Sequence, residues 1–395
     1  MKILFCNYEY PPLGGGGGVV MAALARSLAT RHNVTVITSR ALDLAPESMD
    51  GGVRVLRTPV LMRHELAVAT MPSMLSFVPS ALWRAMRLPD MASFDVINTH
   101  FAIPSGPAGH LLSRWYGVPN VLSVHGGDLY DPSKAMSPHR HAWLRAPIRQ
   151  MLRKADAVVG QSRNTVNHVS SIYGVKRDVE LVPLGIERPP RFPPASRSQF
   201  GIPEDALVLV TVGRLVPRKS TPQLVEVLSR AKLANAHLLV VGSGPDEAAI
   251  RQLAGEQGFG DRVHLLGQVT DEQKYAALSL ADVFVSASQH EGFGLVFLEA
   301  MAFGLPVICY DEGGQTDFLA SGETGFVVKL NDTDAFTRAL RELADTPALR
   351  DRCAAHNRDK VERYFIDRCA EQYEKTFESV ILAARRNPAL KRDAG

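Results

Sequence analysis

Residues 290 to 309, HEGFGLVFLEAMAFGLPVIC, place two acids, Glu291 and Glu299, around a glycine-broken turn and the start of an apolar run. ADVFVSAS, just before them, has the composition of a strand, Gln289 to Gly292 reads as a loop, and a helix is predicted from about Gly294. The first N–H groups of a helix lack intrahelical acceptors and can bind a phosphate or a sugar hydroxyl. Glu291 precedes that helix and Glu299 lies about a turn inside it, so the two carboxylates would sit at different depths of one cleft. They could address two polyols, such as the two sugars of a nucleotide-sugar. Complementing the helix dipole would account for Glu291. It accounts poorly for Glu299, which is embedded in an apolar run where an unpaired acid is costly.

A second group lies in TVGRLVPRKS, residues 211 to 220, where Arg214 and Lys219 fall on the loop after a strand. A guanidinium grips phosphate through paired donors and an ammonium adds a point charge, so the pair suits a diphosphate held without metal. Two basic loop residues alone are ordinary solvated surface; their place opposite the Glu291 segment is what singles them out. PPLGGGGGVV follows the first strand and opens the first helix, where backbone amides receive phosphate. The dinucleotide register G-x-G-x-x-G fails, because from Gly14, Gly15 or Gly16 its last position falls on Val19, Val20 or Met21. The second strand ends in Thr38-Ser39-Arg40 with no acid for a ribose, and Arg40 alone keeps an NADP reading open. A merely flexible turn is the other alternative, although such a run costs more backbone entropy than a tight turn needs. His125, in SVHGGD, and His100 both fall at strand ends. By itself each reads as a structural histidine. Asp332-Thr333-Asp334 imitates a D-x-D metal motif but is read as a helix cap before AFTRALREL.

These groups need a scaffold. The chain has 395 residues, more than one core usually supports, so two domains are expected. The first half alternates strands (KILFCNYEY, NVTVIT, FDVINTH, PNVLSVHG, ADAVVGQS, VELVPLG) with helical patterns, which predicts a doubly wound parallel sheet. A stretch from Pro183 to Pro203 with six prolines is read as the linker, after which LVLVTVG, AHLLVVG, RVHLLG, ADVFVSAS, LPVICYD and TGFVVK repeat the pattern. The expected architecture is therefore α/β, with Rossmann-like domains over 1–186 and 187–365 facing across a cleft. A helix within 366–395 is expected to cross back onto the first. Ligands in such sheets sit at the carboxyl ends of the strands.

Composition excludes other classes. With 46% hydrophobic and 22% charged residues the chain is an ordinary globular protein. Four cysteines without C-x-x-C spacing argue against zinc sites and a disulfide framework. The start MKILFCNYEY reads as a strand and lacks the marks of a secretory signal, and Leu66 to Trp83 is a poor membrane span because Pro72 and Pro79 interrupt it. A cytoplasmic location is expected. Residues 1 to 187 hold 19 Lys and Arg against 13 Asp and Glu, while the remainder is net acidic. The first half would favour an acidic partner or an anionic surface, and no nucleic-acid partner is read. The stretch from Arg63 to Arg87, with Leu, Met, Phe and Trp between arginines, suggests peripheral contact with the inner membrane face, although it could equally cover the domain core.

In this order and spacing, G-R-L-V-P-R-K, the E-x7-E pair Glu291 and Glu299, the Gly313-Gly314 turn and the glycine loop after P-P resemble family 4 of the retaining glycosyltransferases. The likeness runs from Lys2 to about Phe377. It implies the two-domain GT-B fold, a nucleotide-diphosphate sugar donor (GDP- or UDP-sugar), a glycan or lipid-linked acceptor, and no metal or other cofactor. It implies that Arg214 and Lys219 hold the donor diphosphate and that Glu299 binds the ribose. Glu291, with the amides of Phe293, Gly294 and Leu295, is placed against the transferred sugar and phosphate. Gly15 and Gly16 match the family's glycine pair, His125 its active-site histidine, and Val269 and Lys274 the place where the base is held. Two departures stand out: Ser220 replaces the commoner glycine after the lysine, and Asp317 stands where a glutamate often follows the Gly-Gly turn. A nucleotide-sugar epimerase of the same fold and a non-catalytic nucleotide-sugar-binding subunit are the rival readings.

Overall fold

The computed structural model describes residues 1–41, 43–66, 69–190 and 195–386. Parts of the proline-rich segment (191–194), of the arginine-flanked stretch (67–68) and of the expected terminal helix (387–395) thus lie outside the described residues. The chain divides into two units: Met1–Glu187 together with the chain from Phe365 onward, and Arg188–Tyr364.

Among the described residues the first unit holds eight strands, β1 Lys2–Cys6, β2 Asn33–Arg40, β3 Glu47–Asp50, β4 Val53–Pro59, β5 Val96–His100, β6 Asn120–Val124, β7 Ala157–Gly160 and β8 Glu180–Leu181, in the order β3-β4-β2-β1-β5-β6-β7-β8. The central strands β5, β6 and β7 are buried throughout, as expected of a parallel sheet covered on both faces. On one face Met21, Leu24 and Leu28 of the helix Gly16–Ala29 share a core with Tyr373, Phe377 and Ile381 of the terminal helix Ile366–Arg386. On the other face Phe77, Ala81 and Ala85 of the helix Met71–Met86 meet Ala108 and Leu112. That helix contains most of the Leu66 to Trp83 segment. Thr70 caps it and Pro72 sits in its first turn, where no backbone N–H is missed. Among the described residues no helix is long and apolar enough to cross a membrane.

One element departs from the purely parallel reading of this sheet. β3 pairs antiparallel with β4 across Gly51-Gly52. Its polar sequence ESMD carries no apolar alternation, and it suits a half-exposed edge.

The second unit holds β9 Leu207–Val212, β10 Ala236–Val241, β11 Val263–Gly267, β12 Val283–Ser286, β13 Val307–Tyr310 and β14 Gly325–Val328, all parallel, in the order β11-β10-β9-β12-β13-β14. Leu209, Leu238, Val240, Val285 and Ile308 from its strands pack with Leu224, Leu228, Ile250, Phe336 and Leu340 from its helices. In the first sheet the strand order turns back between β1 and β5, in the second between β9 and β12. At such a point successive loops part to opposite faces and leave a crevice at the strand ends.

Candidate active site

In the second unit the loop after β9 carries Arg214, Arg218 and Lys219, and the loop after β12 carries Glu291. Lys219 Nζ donates to Glu291 Oε1, Arg218 Nη1 lies 3.6 Å from Glu291 Oε2, and Arg218 also donates to the carbonyl of His290. Glu291 is only 7% exposed. Burial alone would raise its carboxyl, but Lys219 and Arg218 outweigh that and hold it below the usual carboxylate range. The backbone of Glu291 is fixed as well: its N–H donates to the Glu312 carbonyl (3.1 Å), and its carbonyl accepts from Gly314 N–H (2.9 Å). At Gly313, with φ of +130°, a Cβ would stand 2.0 Å from the Glu291 carbonyl oxygen, so the Gly-Gly turn is what allows this approach. Arg214 is exposed and makes no ion pair among the described residues. It lines one small pocket with Lys219, Thr211, Gly213, Thr221 and Ser286.

Glu299, in the helix Leu295–Ala302, accepts from Lys274 Nζ at 2.9 Å, and Lys274 also lies 3.1 Å from Asp271. The acid in the apolar run is therefore paired. Burial works against the Lys274 charge, but Glu299 more than compensates and holds the ammonium above its ordinary range. Val269 is half-buried in the loop before the helix Asp271–Leu280, whose N-cap Thr270 forms a capping box with Gln273. Phe293 is buried against Phe318, ring centroids 5.3 Å apart. The N–H groups of Phe293, Gly294 and Leu295 have no acceptor among the described residues, which leaves them available to a ligand. Ser220 adopts a left-handed conformation, φ 46° and ψ 37°, which accounts for the glycine more usual at that place. Asp332 accepts from Ala335 N–H at 2.8 Å and caps the helix Thr333–Asp345, while Asp334 pairs with Arg230 at 3.1 Å.

The first unit builds its own group at the ends of β1, β5 and β6. Gly15 caps the first helix and Gly16 begins it, and the Gly15 N–H donates to Glu9 Oε2 at 3.2 Å. A Cβ on Gly17 would lie 2.6 Å from the Phe101 ring, so a glycine there admits the aromatic ring. Phe101 in turn stacks on His125 with centroids 4.3 Å apart. His125 Nε2 lies 2.8 Å from His100 Nδ1 and 3.1 Å from the Gln161 amide, and His100 Nε2 lies 2.7 Å from Asn98 Oδ1. Burial pushes His125 down to about 3 and His100 well below its ordinary value, so both rings are neutral near pH 7. Asp128 accepts from the N–H groups of His125 (2.8 Å) and Ala102 (2.7 Å), and burial raises its carboxyl to about 6.

The structure thus brings Arg214, Lys219 and Glu291 together, pairs Glu299 with Lys274, and joins the glycine loop to His125 through Phe101. His100, read from sequence as a purely structural histidine, is bonded to His125. Arg218, Glu9, Phe101 and Gln161 escaped the sequence reading. Arg218 is flagged by its place in RLVPRKS and Glu9 by its place before the prolines, but an aromatic residue and an amide at strand ends carry no signal of their own.

Two doubly wound units, each with a polar group at its switch point, define the GT-B class of glycosyltransferase. The pattern described as Glycosyltransferase Family 4 matches residues 14–188, and that described as Glycosyl transferases group 1 matches residues 194–360. A D-inositol 3-phosphate glycosyltransferase of Stackebrandtia nassauensis is 30% identical, over 97% of this chain and 92% of its own length. A GDP-mannose-dependent alpha-(1-6)-phosphatidylinositol monomannoside mannosyltransferase of Mycolicibacterium smegmatis is 29% identical over 87% of this chain and 90% of its own. In fold, the sucrose-phosphate synthase of Thermosynechococcus elongatus superposes with a TM-score of 0.83 at 23% identity, covering 97% of this chain and all of that one (100%). The chain belongs to glycosyltransferase family 4 and is a glycosyltransferase.

Proposed function

We propose that the enzyme transfers a hexosyl unit, with retention of configuration and without a metal ion, from a UDP- or GDP-sugar to a glycan or lipid-linked acceptor on the cytoplasmic side of a membrane. The observation that carries this reading is the buried Glu291 held by Lys219 and Arg218, beside Arg214, which has no ion pair among the described residues, at the β9/β12 switch point. Fixed cations of this kind stabilise a leaving diphosphate as its charge develops, with no reorganisation at the moment of reaction. Arg214 and Lys219 would grip the diphosphate, and the N–H groups of Phe293, Gly294 and Leu295 would contribute to the phosphate and the sugar. Glu291 would face the transferred sugar and Glu299 the ribose, with Val269 and Lys274 beside the base. The leaving phosphate itself would serve as base toward the acceptor hydroxyl. Similarity to a GDP-mannose-dependent mannosyltransferase supports a nucleotide-diphosphate sugar as donor.

The test is thermal stabilisation of the chain by UDP-, GDP- and ADP-sugars, followed by product analysis with and without EDTA. The expected result is stabilisation by one nucleotide class and a transferred sugar in which the anomeric configuration is kept and EDTA has no effect. An epimerised donor would establish an epimerase, and stabilisation without turnover a binding subunit. Loss of transfer in EDTA, restored by manganese, would overturn the metal-free reading and return attention to Asp332 and Asp334.

A further inference from the structure

We propose that Asn98 and His100 are positioning residues that fix His125 as its Nε2–H tautomer, so that Nδ1 is presented as a hydrogen-bond acceptor for a sugar hydroxyl. The proton positions follow from the ends of the chain of contacts. Asn98 Nδ2 lies 3.0 Å from the Val121 carbonyl oxygen, which can only accept, so the Asn98 amide nitrogen points there and its oxygen points to His100. His100 Nε2 therefore carries the proton it donates to Asn98 Oδ1. A neutral ring holds only one such proton, so His100 Nδ1 is bare and must accept from His125 Nε2, 2.8 Å away. The proton on His125 is then fixed at Nε2, and its Nδ1 carries a lone pair.

One orphaned atom marks the free end of this chain of contacts. His125 Nδ1 is buried with no hydrogen-bond partner among the described residues, and an unmet buried acceptor calls for a partner that arrives from outside. Gln161 Oε1 is also buried and has no partner among the described residues, while the Gln161 nitrogen stands 3.1 Å from the His125 nitrogen that bears the proton. With that amide turned by half, Oε1 would share the Nε2–H that His125 donates to His100. The His100 ring itself stacks with Phe5 (5.4 Å) and Tyr373 (6.1 Å), and these contacts help to set its orientation.

The tautomer is a property of the protein alone; the hydroxyl it would meet rests on the functional reading above. The experiment separates the two. Nitrogen-15 NMR of the histidine-labelled full chain at neutral pH, with His125 assigned through a His125→Gln variant, is expected to show a protonated Nε2 and a bare Nδ1. A protonated Nδ1 or an imidazolium would overturn the proposal. His100→Phe keeps an aromatic ring against Phe5 and Tyr373 but removes the acceptor, and is expected to mix the two His125 tautomers. It should also raise the KM for the donor sugar nucleotide about tenfold, the effect of one lost hydrogen bond. His100→Asn, which returns an acceptor near the same place, is expected to restore both, and it carries the test by itself if the Phe variant does not fold. An unchanged His125 spectrum in His100→Phe overturns the relay. Altered spectra with unchanged KM overturn the role toward the sugar.

Discussion

Glu291 and Glu299 occupy one short segment, yet their surroundings separate them. Glu291 is locked by the Gly-Gly turn and held ionised by two cations, whereas Glu299 has one cation, Lys274, beside it among the described residues. Glu299→Gln removes a binding contact that is much the same in ground and transition states, so the donor KM is expected to rise roughly 10- to 100-fold with kcat little changed. Glu291 would face the sugar as positive charge develops, so Glu291→Gln is expected to lower kcat by more than it weakens donor binding. Steady-state kinetics with isothermal titration of the donor would distinguish these outcomes, and an effect on KM alone in both variants would reject the division of labour. Arg214→Ala and Lys219→Ala are each expected to lose about 2–4 kcal/mol of transition-state stabilisation, read from kcat/KM. Only the lysine variant should also lower stability, because it leaves the buried Glu291 one cation short. At this scale the sequence exposed the groups whose charge or glycine content is unusual for their setting. Partner choice was hidden, as with Lys274 for Glu299, because the partner lies on another helix and no local spacing records it.

The elements explain why those residues meet. Both groups form where the strand order reverses, a position set by the connections and not by any residue within the loops. The six strands of the second unit were legible because each is a short apolar run followed by a helical pattern. The β3/β4 hairpin was not, because a polar edge strand has no apolar period. The terminal helix Ile366–Arg386 closes one face of the first sheet, with Phe377 wholly buried among Met21, Leu24 and their neighbours. Phe377→Ala is expected to cost about 3–5 kcal/mol in urea unfolding. The ends of β5 and β6 bury His100 and His125 as neutral rings, with folded pKa values below those of the unfolded chain. Between about pH 3 and 6.5 the unfolded state then binds protons at these two positions that the native state does not, so the two rings make stability fall as pH falls through that window. Asp128, raised to about 6, acts in the opposite sense, as do Asp156 and Glu299, whose carboxyls burial also raises. His100→Asn is therefore expected to flatten the dependence of unfolding free energy on pH below 6.5, by up to about 1.4 kcal/mol per pH unit. An unaltered slope would mean that His100 titrates normally in the folded chain.

Across the whole molecule charge is unevenly shared, with the excess of lysine and arginine over acids confined to residues 1 to 187. The same unit exposes apolar side chains in a pattern. On the helix Met71–Met86 the inner face packs in the core, but Met71 (43% exposed), Leu75 (68%), Trp83 (44%) and Met86 (55%) form an outer stripe, beside Leu61 (64%) and Met62 (61%). The Arg87 guanidinium lies over the Trp83 ring at 3.6 Å, a cation at the edge of the stripe. The helix Ala142–Lys154, AWLRAPIRQMLRK, adds arginines and a lysine with no acid, and an exposed Trp143. An apolar stripe with cations at its margin suits the surface of an anionic membrane, where each basic residue contributes roughly 1 kcal/mol and buried apolar area adds about 25 cal/mol per Å². The full chain is therefore expected to bind phosphatidylglycerol vesicles at low salt and not phosphatidylcholine vesicles, with binding lost as salt rises. Leu75→Gln and Met86→Gln should weaken it while changing unfolding free energy by less than about 0.5 kcal/mol, because both side chains are already exposed in the folded state. Co-sedimentation would measure the first effect and urea unfolding the second. Equal sedimentation with both lipids would show that the charge excess does not act at a membrane. Undiminished binding in the two variants would move the contact away from the stripe and leave the basic helix Ala142–Lys154 as the place to test next.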